Sequence, residues 1–284
     1  MTPNTKTQLC GLLGYPVEHS LSPAIHNAAF HHLGVNAVYL AFPVEDLEGA
    51  MRGVRALGNV RGFSVTIPHK VAVIPYLDDI ESTARHIGSV NTIVKEEGRL
   101  IGYNTDASGA LAALQQAGIA LEGRRIVLVG TGGAARAIAF GLAMRAGIAR
   151  LALVGIDADE RARLAHHLRE RTAVEVDEYS LTEAALARAF DAADVLVHCT
   201  PVGMSPKNTE SCIPKHLLSS KLVVMDIVYN PLDTQLIRDA MDVGCRTIKG
   251  LEMFLHQAVE QFELWTGQPA PVDVMRAVLE AHFQ

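Results

Sequence analysis

Cysteine is scarce in this chain and unclustered: Cys10, Cys199, Cys212 and Cys245 are scattered over 284 residues. No C-x-x-C pair and no histidine at ligand spacing accompanies them, which argues against a disulfide framework and against a zinc or other metal site. A reduced, cytoplasmic setting is the expectation. Aromatic residues make up only 5% of the chain. Charge of one sign is also missing: 25 Lys and Arg face 31 Asp and Glu, spread along the sequence, for a net charge of -6. Without a basic block, no nucleic acid and no anionic membrane surface is expected as a partner. Long hydrophobic runs are absent, the most apolar being of the length of Ile126-Val127-Leu128-Val129. Such runs suit buried strands and do not span a bilayer. The stretch up to Gly11 is too polar for a secretory signal. The chain shows no internal repeat and no low-complexity segment.

What is present is a 49% apolar composition and enough length for two modest domains. Strand-like apolar runs alternate with helix-like periodic segments, the pattern of parallel α/β architecture. In the first half, Gln8–Leu13, Ala37–Phe42 and Val60–Thr66 read as strands. A helix from Ser22 has Pro23 in its first turn and Gly34 as its stop, and a second covers Val44–Leu57. Val90–Lys95 and Leu100–Tyr103 flank Glu96-Glu97-Gly98 as a hairpin. A second α/β series has strands at Arg125–Val129, Leu151–Val154, Ala173–Val176, Val195–His198, Val223–Ile227 and Arg246–Ile248. The tail holds two helices separated by Gly267-Gln268-Pro269-Ala270-Pro271. His31-His32 and His166-His167 fall in helical segments and read as surface residues. Two α/β units imply a cleft between domains in which a small molecule binds.

The segment Val129-Gly130-Thr131-Gly132-Gly133-Ala134-Ala135 places glycines between a buried strand and a small-residue helix. This order suits a dinucleotide: Gly130 for the tight turn, Gly132 for approach to the pyrophosphate, and helix N–H groups for the anion. After the next strand, Gly155-Ile156-Asp157 puts a carboxylate where the adenosine ribose is expected. A carboxylate there accepts from both ribose hydroxyls and repels a 2′-phosphate, so NAD is favoured over NADP. The bland alternative is that Asp157 only caps a helix starting near Asp159, leaving Arg161 or Arg163 to reach a phosphate.

Polar residues also collect at strand ends in the first half. Ser20 and Ser22 precede a helix N-terminus and suit a carboxylate, although Ser22 alone could be an N-cap. Thr66 ends a strand, and Pro68 redirects the chain toward Lys70. Asn91 offers donor and acceptor to hydroxyls. Asp106 closes Gly102-Tyr103-Asn104-Thr105-Asp106. A lysine near a carboxylate can exchange an alcohol proton while a nicotinamide carries hydride.

Taken in order, S-x-S-P-x-x-H-N, V-T-x-P-x-K, V-N-T, G-x-N-T-D, the glycine segment, Thr200-Pro201-Val202-Gly203-Met204, Asp226-Ile227-Val228-Tyr229-Asn230-Pro231 and Gln257-Ala258 resemble the shikimate dehydrogenase family, including its quinate/shikimate members. The resemblance runs from about residue 10 to residue 267. It implies an α/β fold with an N-terminal substrate domain (residues 1–106, completed by helices in 250–284) and a Rossmann domain (107–249). It implies Lys70 and Asp106 as the acid–base pair. Ser20, Ser22, Thr66, Asn91, Tyr229 and Gln257 would surround the substrate. Gly130, Thr131, Gly132, Gly133, Ala134 and Asp157 would hold the dinucleotide, with Thr200, Met204 and Gly250 toward the nicotinamide. A monomer or homodimer is expected.

Two departures stand out. Ser64 replaces the asparagine usual before V-T-x-P, which bears on the strand's support or on a contact near the substrate ring. Gly155-Ile156-Asp157 replaces the N-R-T of the NADP enzymes and removes an arginine fork suited to a 2′-phosphate. Competing readings are a folate-type two-domain dehydrogenase, against which the serine pair and V-T-I-P-H-K argue, and a non-catalytic ligand-binding regulator, against which retention of both Lys70 and Asp106 argues.

Overall fold

The alternation of apolar runs and periodic segments becomes two separate sheets in the computed structural model, which describes residues 2–283. The first contains β1 (Gln8–Gly14), β2 (Ala37–Pro43), β3 (Val60–Val65), β4 (Asp79–Ile80), β5 (Thr92–Glu96) and β6 (Arg99–Tyr103), in the order β2-β1-β3-β5-β6-β4. β1 lies parallel to β2 and β3, whereas β5 runs antiparallel to β3 and β6. The β5–β6 hairpin turns on Glu97 (φ 48°) and Gly98 (φ 80°), the paired positive φ values that match the twist of adjoining strands.

The helices of this part are α1 (Ser22–Leu33), α2 (Leu47–Ala56), α3 (His69–Ala72) and α4 (Ser82–Ile87). α1 carries proline in its first turn and stops at Gly34, which is left-handed at φ 67°. α2 starts later than the expected Val44, because the Asp46 side chain accepts from the Gly49 amide and fixes the first turn there.

The second sheet is wholly parallel: β7 (Arg125–Val129), β8 (Arg150–Gly155), β9 (Glu175–Ser180), β10 (Val195–His198), β11 (Val223–Asp226) and β12 (Arg246–Ile248), in the order β12-β11-β10-β7-β8-β9. It is accompanied by α5 (Asp106–Gln116), α6 (Gly133–Arg145), α7 (Ala158–Arg171), α8 (Glu183–Phe190) and α9 (Gln235–Val243). The strand order reverses between β7 and β10, which makes their carboxyl ends the topological switch point. β9 differs from the expected Ala173–Val176. It is an edge strand reading Glu-Val-Asp-Glu-Tyr-Ser, and pairing with β8 on one side holds it despite few apolar residues.

The chain divides into two compact units, one up to Thr105 together with the segment from Gln257, the other from Asp106 to His256. The closing helices are α10 (Gly250–Thr266), within which that division falls, and α11 (Val272–His282). In the first unit, Trp265, Phe262, Phe30, Tyr39 and His26 form a buried aromatic cluster. In the second, Val127, Val129, Val154, Leu196 and Val224 form the centre of an aliphatic core.

His31 and His32 are exposed on α1, and His166 lies on α7 beside Glu170. Among the described residues no helix is long and apolar enough to cross a membrane, and no group of three His, Cys, Asp or Glu could hold a metal ion.

Candidate active site

In the first unit, the end of β3 is tied to the segments carrying the expected substrate residues, with Asn91 at the crossing. The Val65 amide donates to the Asn91 carbonyl (2.7 Å), and the Val90 amide donates to the Lys70 carbonyl (2.8 Å). Asn91 Oδ1 accepts from the Thr105 amide (2.8 Å) and the Thr92 hydroxyl (2.8 Å), while Nδ2 donates to Thr105 Oγ1 (3.0 Å). Thr66, at the end of β3, bonds back to β1 through its amide and the Leu13 carbonyl. Lys70 lies in the short helix α3, which is anchored by a hydrogen bond between His69 Nε2 and the Val44 carbonyl (2.7 Å). Thr66, Lys70, Asn91 and Thr105 are thereby gathered at one sheet end. Asp106 is the next residue, buried at the start of α5.

Ser22 is buried in the first turn of α1, but it is not the N-cap; Leu21 occupies that position without a side-chain bond. Ser20 Oγ accepts from the Ser22 amide (3.3 Å). The Ser22 hydroxyl bonds instead to Tyr39. Asn27, one residue beyond the buried His26, uses its amide group to bind both the carbonyl and the N–H of Tyr39 at 2.8 Å. It thereby satisfies backbone groups on the edge strand β2. This accounts physically for Asn27.

The Ser64 departure has a clear structural role. Tyr39 Oη donates to Ser64 Oγ (2.8 Å), Ser64 donates to Gln261 Oε1 (2.8 Å), and Gln261 Nε2 donates to Thr92 Oγ1 (2.9 Å). A continuous buried chain of neutral polar groups therefore joins Ser22 to Asn91. Ser64 supports the strand. Gln261, 1% exposed, was not singled out by sequence reasoning. Its signal was available: Gln257 and Gln261 lie four apart on α10 and both are buried, which places two amides on one helix face. His26 stacks on Tyr39 with ring centroids 4.6 Å apart, and burial pushes its pKa down to about 3, so it is neutral.

The second unit carries the glycine segment at the switch point. Gly130 has φ 120°, and a Cβ on it would lie 2.8 Å from the Cys199 carbonyl oxygen at the end of β10. Both facts require glycine. Gly132 is the N-cap of α6 and makes no side-chain cap bond, and a Cβ there would meet nothing within 4 Å. The residues thus fit a pyrophosphate, with Gly133 and Ala134 opening the helix. Thr131 has its hydroxyl committed to Glu160 (3.0 Å). Gly250 is buried at the start of α10, where a Cβ would lie 2.4 Å from the Ile227 carbonyl oxygen. Tyr229 packs on Phe254 with centroids 4.7 Å apart. Thr200 Oγ1 accepts from the Val202 amide (3.2 Å), and the exposed Met204 follows in the same turn.

At the end of β8, Asp157 does cap α7: its Oδ1 accepts from the Glu160 amide at 2.8 Å. It is exposed, as are Asp159 and Glu160. Arg161 is turned away from solvent, donating to the Gly155 carbonyl (2.7 Å) with Glu178 4.0 Å distant. Arg163 is exposed further along α7. The rim of this strand therefore presents acids, and its nearest arginine is engaged elsewhere.

Residues 12–93 match the family model of the shikimate dehydrogenase substrate binding domain, and residues 250–280 match that of the shikimate 5'-dehydrogenase C-terminal domain. The shikimate dehydrogenase (NADP(+)) of Symbiobacterium thermophilum is 49% identical over 282 residues, covering 98% of this chain and 95% of that protein. Among solved structures, shikimate 5-dehydrogenase from Listeria monocytogenes, in complex with shikimate and NAD, superposes with a TM-score of 0.92 at 34% identity, covering 98% of each chain. Quinate dehydrogenase from Corynebacterium glutamicum, in complex with NAD, gives a TM-score of 0.90 at 31% identity, covering 97% of this chain and 99% of that one.

Proposed function

The chain belongs to the shikimate dehydrogenase family, and from that premise we propose that it is an NAD(P)-dependent oxidoreductase interconverting the C3 alcohol of shikimate or quinate and the corresponding 3-dehydro ketone. The observation that carries the reading is the convergence of Thr66, Lys70, Asn91 and Thr105 at one sheet end, immediately before Asp106. Bound nicotinamide would supply or accept the hydride. Lys70 Nζ takes the C3 hydroxyl proton in oxidation and returns it in reduction, with Asp106 orienting the amine. Thr66, Asn91 and Gln257 bind ring hydroxyls. Ser20 and Ser22 hold the carboxylate, beside the positive end of the α1 dipole.

For the cofactor, we propose a preference for NAD, in contrast to the NADP(+) named for the similar curated enzymes. Asp157, at the end of β8, puts a carboxylate at the expected ribose position on an acidic rim, and Arg161 donates to the Gly155 carbonyl. A 2′-phosphate would meet repulsion without a guanidinium fork. Gly130, Thr131, Gly132, Gly133 and Ala134 bind the pyrophosphate, while Thr200, Met204 and Gly250 border the nicotinamide.

The test is a set of initial rates with shikimate and with quinate, each with NAD and NADP. Turnover of at least one alcohol, faster with NAD, is expected. Ligand binding without turnover of either would refute the enzymatic reading, and a clear preference for NADP would refute the role given to the acidic rim.

A further inference from the structure

The second unit contains a buried charged constellation that the dehydrogenase chemistry does not use. Register pairing places His198, the last residue of β10, directly beside Asp226, the last residue of β11. His198 Nδ1 lies 2.8 Å from Asp226 Oδ1. The carboxylate also accepts from the Thr234 hydroxyl at Oδ2 (2.6 Å) and from the Val228 amide at Oδ1 (3.1 Å). With Asp226 acting as acceptor throughout, Nδ1 carries a hydrogen. The other ring nitrogen, Nε2, lies 2.5 Å from Thr200 Oγ1 and 3.4 Å from Cys212 Sγ. Thr200 Oγ1 is itself 4.0 Å from that sulfur. Burial alone would lower the His198 pKa, but its bonds to Asp226 and Cys212 outweigh burial and raise it to about 9. The ring is therefore an imidazolium at neutrality, and Nε2–H points to Thr200 and to the sulfur.

A nucleophilic side chain within reach of a histidine that is oriented by a buried carboxylate is the arrangement that activates thiols. The other cysteines lack it. Cys10 is 1% exposed, and burial pushes its thiol up to about 12. Burial also raises Cys245, which donates to the Ser219 carbonyl. Burial and the Asp226 charge raise Cys199. Cys212 is partly exposed, in the loop after β10.

We propose that Cys212 is a modification site, a thiol set against the His198–Asp226 pair that small hydroperoxides oxidise to the sulfenic acid. The Sγ lone pair attacks the distal peroxide oxygen, so an S–O bond forms as the O–O bond breaks. Sulfur is oxidised by two electrons and the peroxide is reduced. The leaving oxyanion takes a proton from His198 Nε2, which the thiol proton replaces, and departs as water or an alcohol. Thr200 Oγ1 lies 4.0 Å from that sulfur, so the oxygen added at Cys212 displaces Thr200 and weakens dinucleotide binding. This consequence rests on the reading of Thr200 given above, whereas the reactivity of the thiol does not.

The experiment treats the folded enzyme with limiting hydrogen peroxide in the presence of dimedone and locates the label by peptide mass spectrometry. Label is expected on Cys212 well before Cys10, Cys199 or Cys245, and this comparison within one molecule needs no variant. Cys212→Ser should abolish the fast label, and His198→Gln should slow it toward the rate of a free thiol such as glutathione. Label spread evenly over the cysteines, or a Cys212 rate equal to that of glutathione in the unaltered protein, would overturn the proposal. A parallel NADH titration by fluorescence should show weakened binding after peroxide and recovery with dithiothreitol, neither occurring in Cys212→Ser. Fast labelling with unchanged NADH affinity would overturn the Thr200 reading and leave the thiol site standing.

Discussion

His26 and His198 are both buried, one in each compact unit, and their surroundings drive them to opposite protonation states. His26 lies among the rings of Tyr39 and Trp265, where burial favours the neutral form. His198 has Asp226 at hydrogen-bond distance, and this contact together with Cys212 outweighs the unfavourable desolvation. The contrast extends to the neighbours. Around His26 the polar groups are hydroxyls and amides that satisfy one another without net charge. Such a network fixes geometry. Around His198 a carboxylate, an imidazolium and a thiol share protons. A cluster of that kind can react.

The comparison breaks most visibly with pH. A histidine whose folded pKa is depressed contributes stability that is present above its unfolded pKa and is lost as pH falls toward the folded value. For His26, shifted from 6.5 to about 3, the loss corresponds to about 5 kcal/mol at the low end. Urea unfolding of the wild type against His26→Phe should therefore show a difference that shifts against the wild type as pH falls from 6.5 toward 3. A flat difference would show that the site takes up a proton without resistance. His198 has the opposite sign. Its folded pKa is raised, so its contribution is complete below 6.5 and is lost as pH rises through about 9. About 3 kcal/mol is involved, and the advantage of wild type over His198→Gln should shrink across that window. A constant advantage would argue that His198 is neutral.

The neutral network gives the next effect. Ser64→Ala leaves the Tyr39 hydroxyl and Gln261 Oε1 each without their Ser64 partner. A loss of about 1–3 kcal/mol is expected, read as a lower unfolding midpoint, with KM for the alcohol rising through displacement of Asn91. An unchanged midpoint would mean that water replaces the hydroxyl freely. The smallest effect is expected at the rim of β8. Asp157→Ser keeps a side-chain oxygen to cap α7 but removes the charge. The NADP-to-NAD ratio of kcat/KM should rise several-fold, on the order of 1 kcal/mol, with little change in stability. An unaltered ratio would place the discrimination elsewhere.

Most of the architecture was legible in the residues. Apolar runs bounded by glycine and proline marked the strands, and the ends of α1 followed from Pro23 and Gly34. β9 was missed as drawn because an edge strand needs no continuous apolar run. α2 began late because the local bond from Asp46 to Gly49 outweighed the apolar pattern. The glycine turn was readable because Gly130 answers to steric limits visible in any sequence. The Ser64–Gln261 bond was not readable, since it joins residues far apart in the chain through tertiary packing alone. The pairing of His198 with Asp226 and Cys212 was hidden for the same reason, as it depends on strand register and on a loop closing over a strand end.

The central claim is that the alcohol proton passes through Lys70, and the most direct measurement is the steady-state kinetics of Lys70→Ala with its fold verified by circular dichroism. The account predicts that kcat falls by about 10²–10⁴-fold while KM changes little, because the lost interaction belongs to the transition state. Turnover near that of the wild type would contradict it.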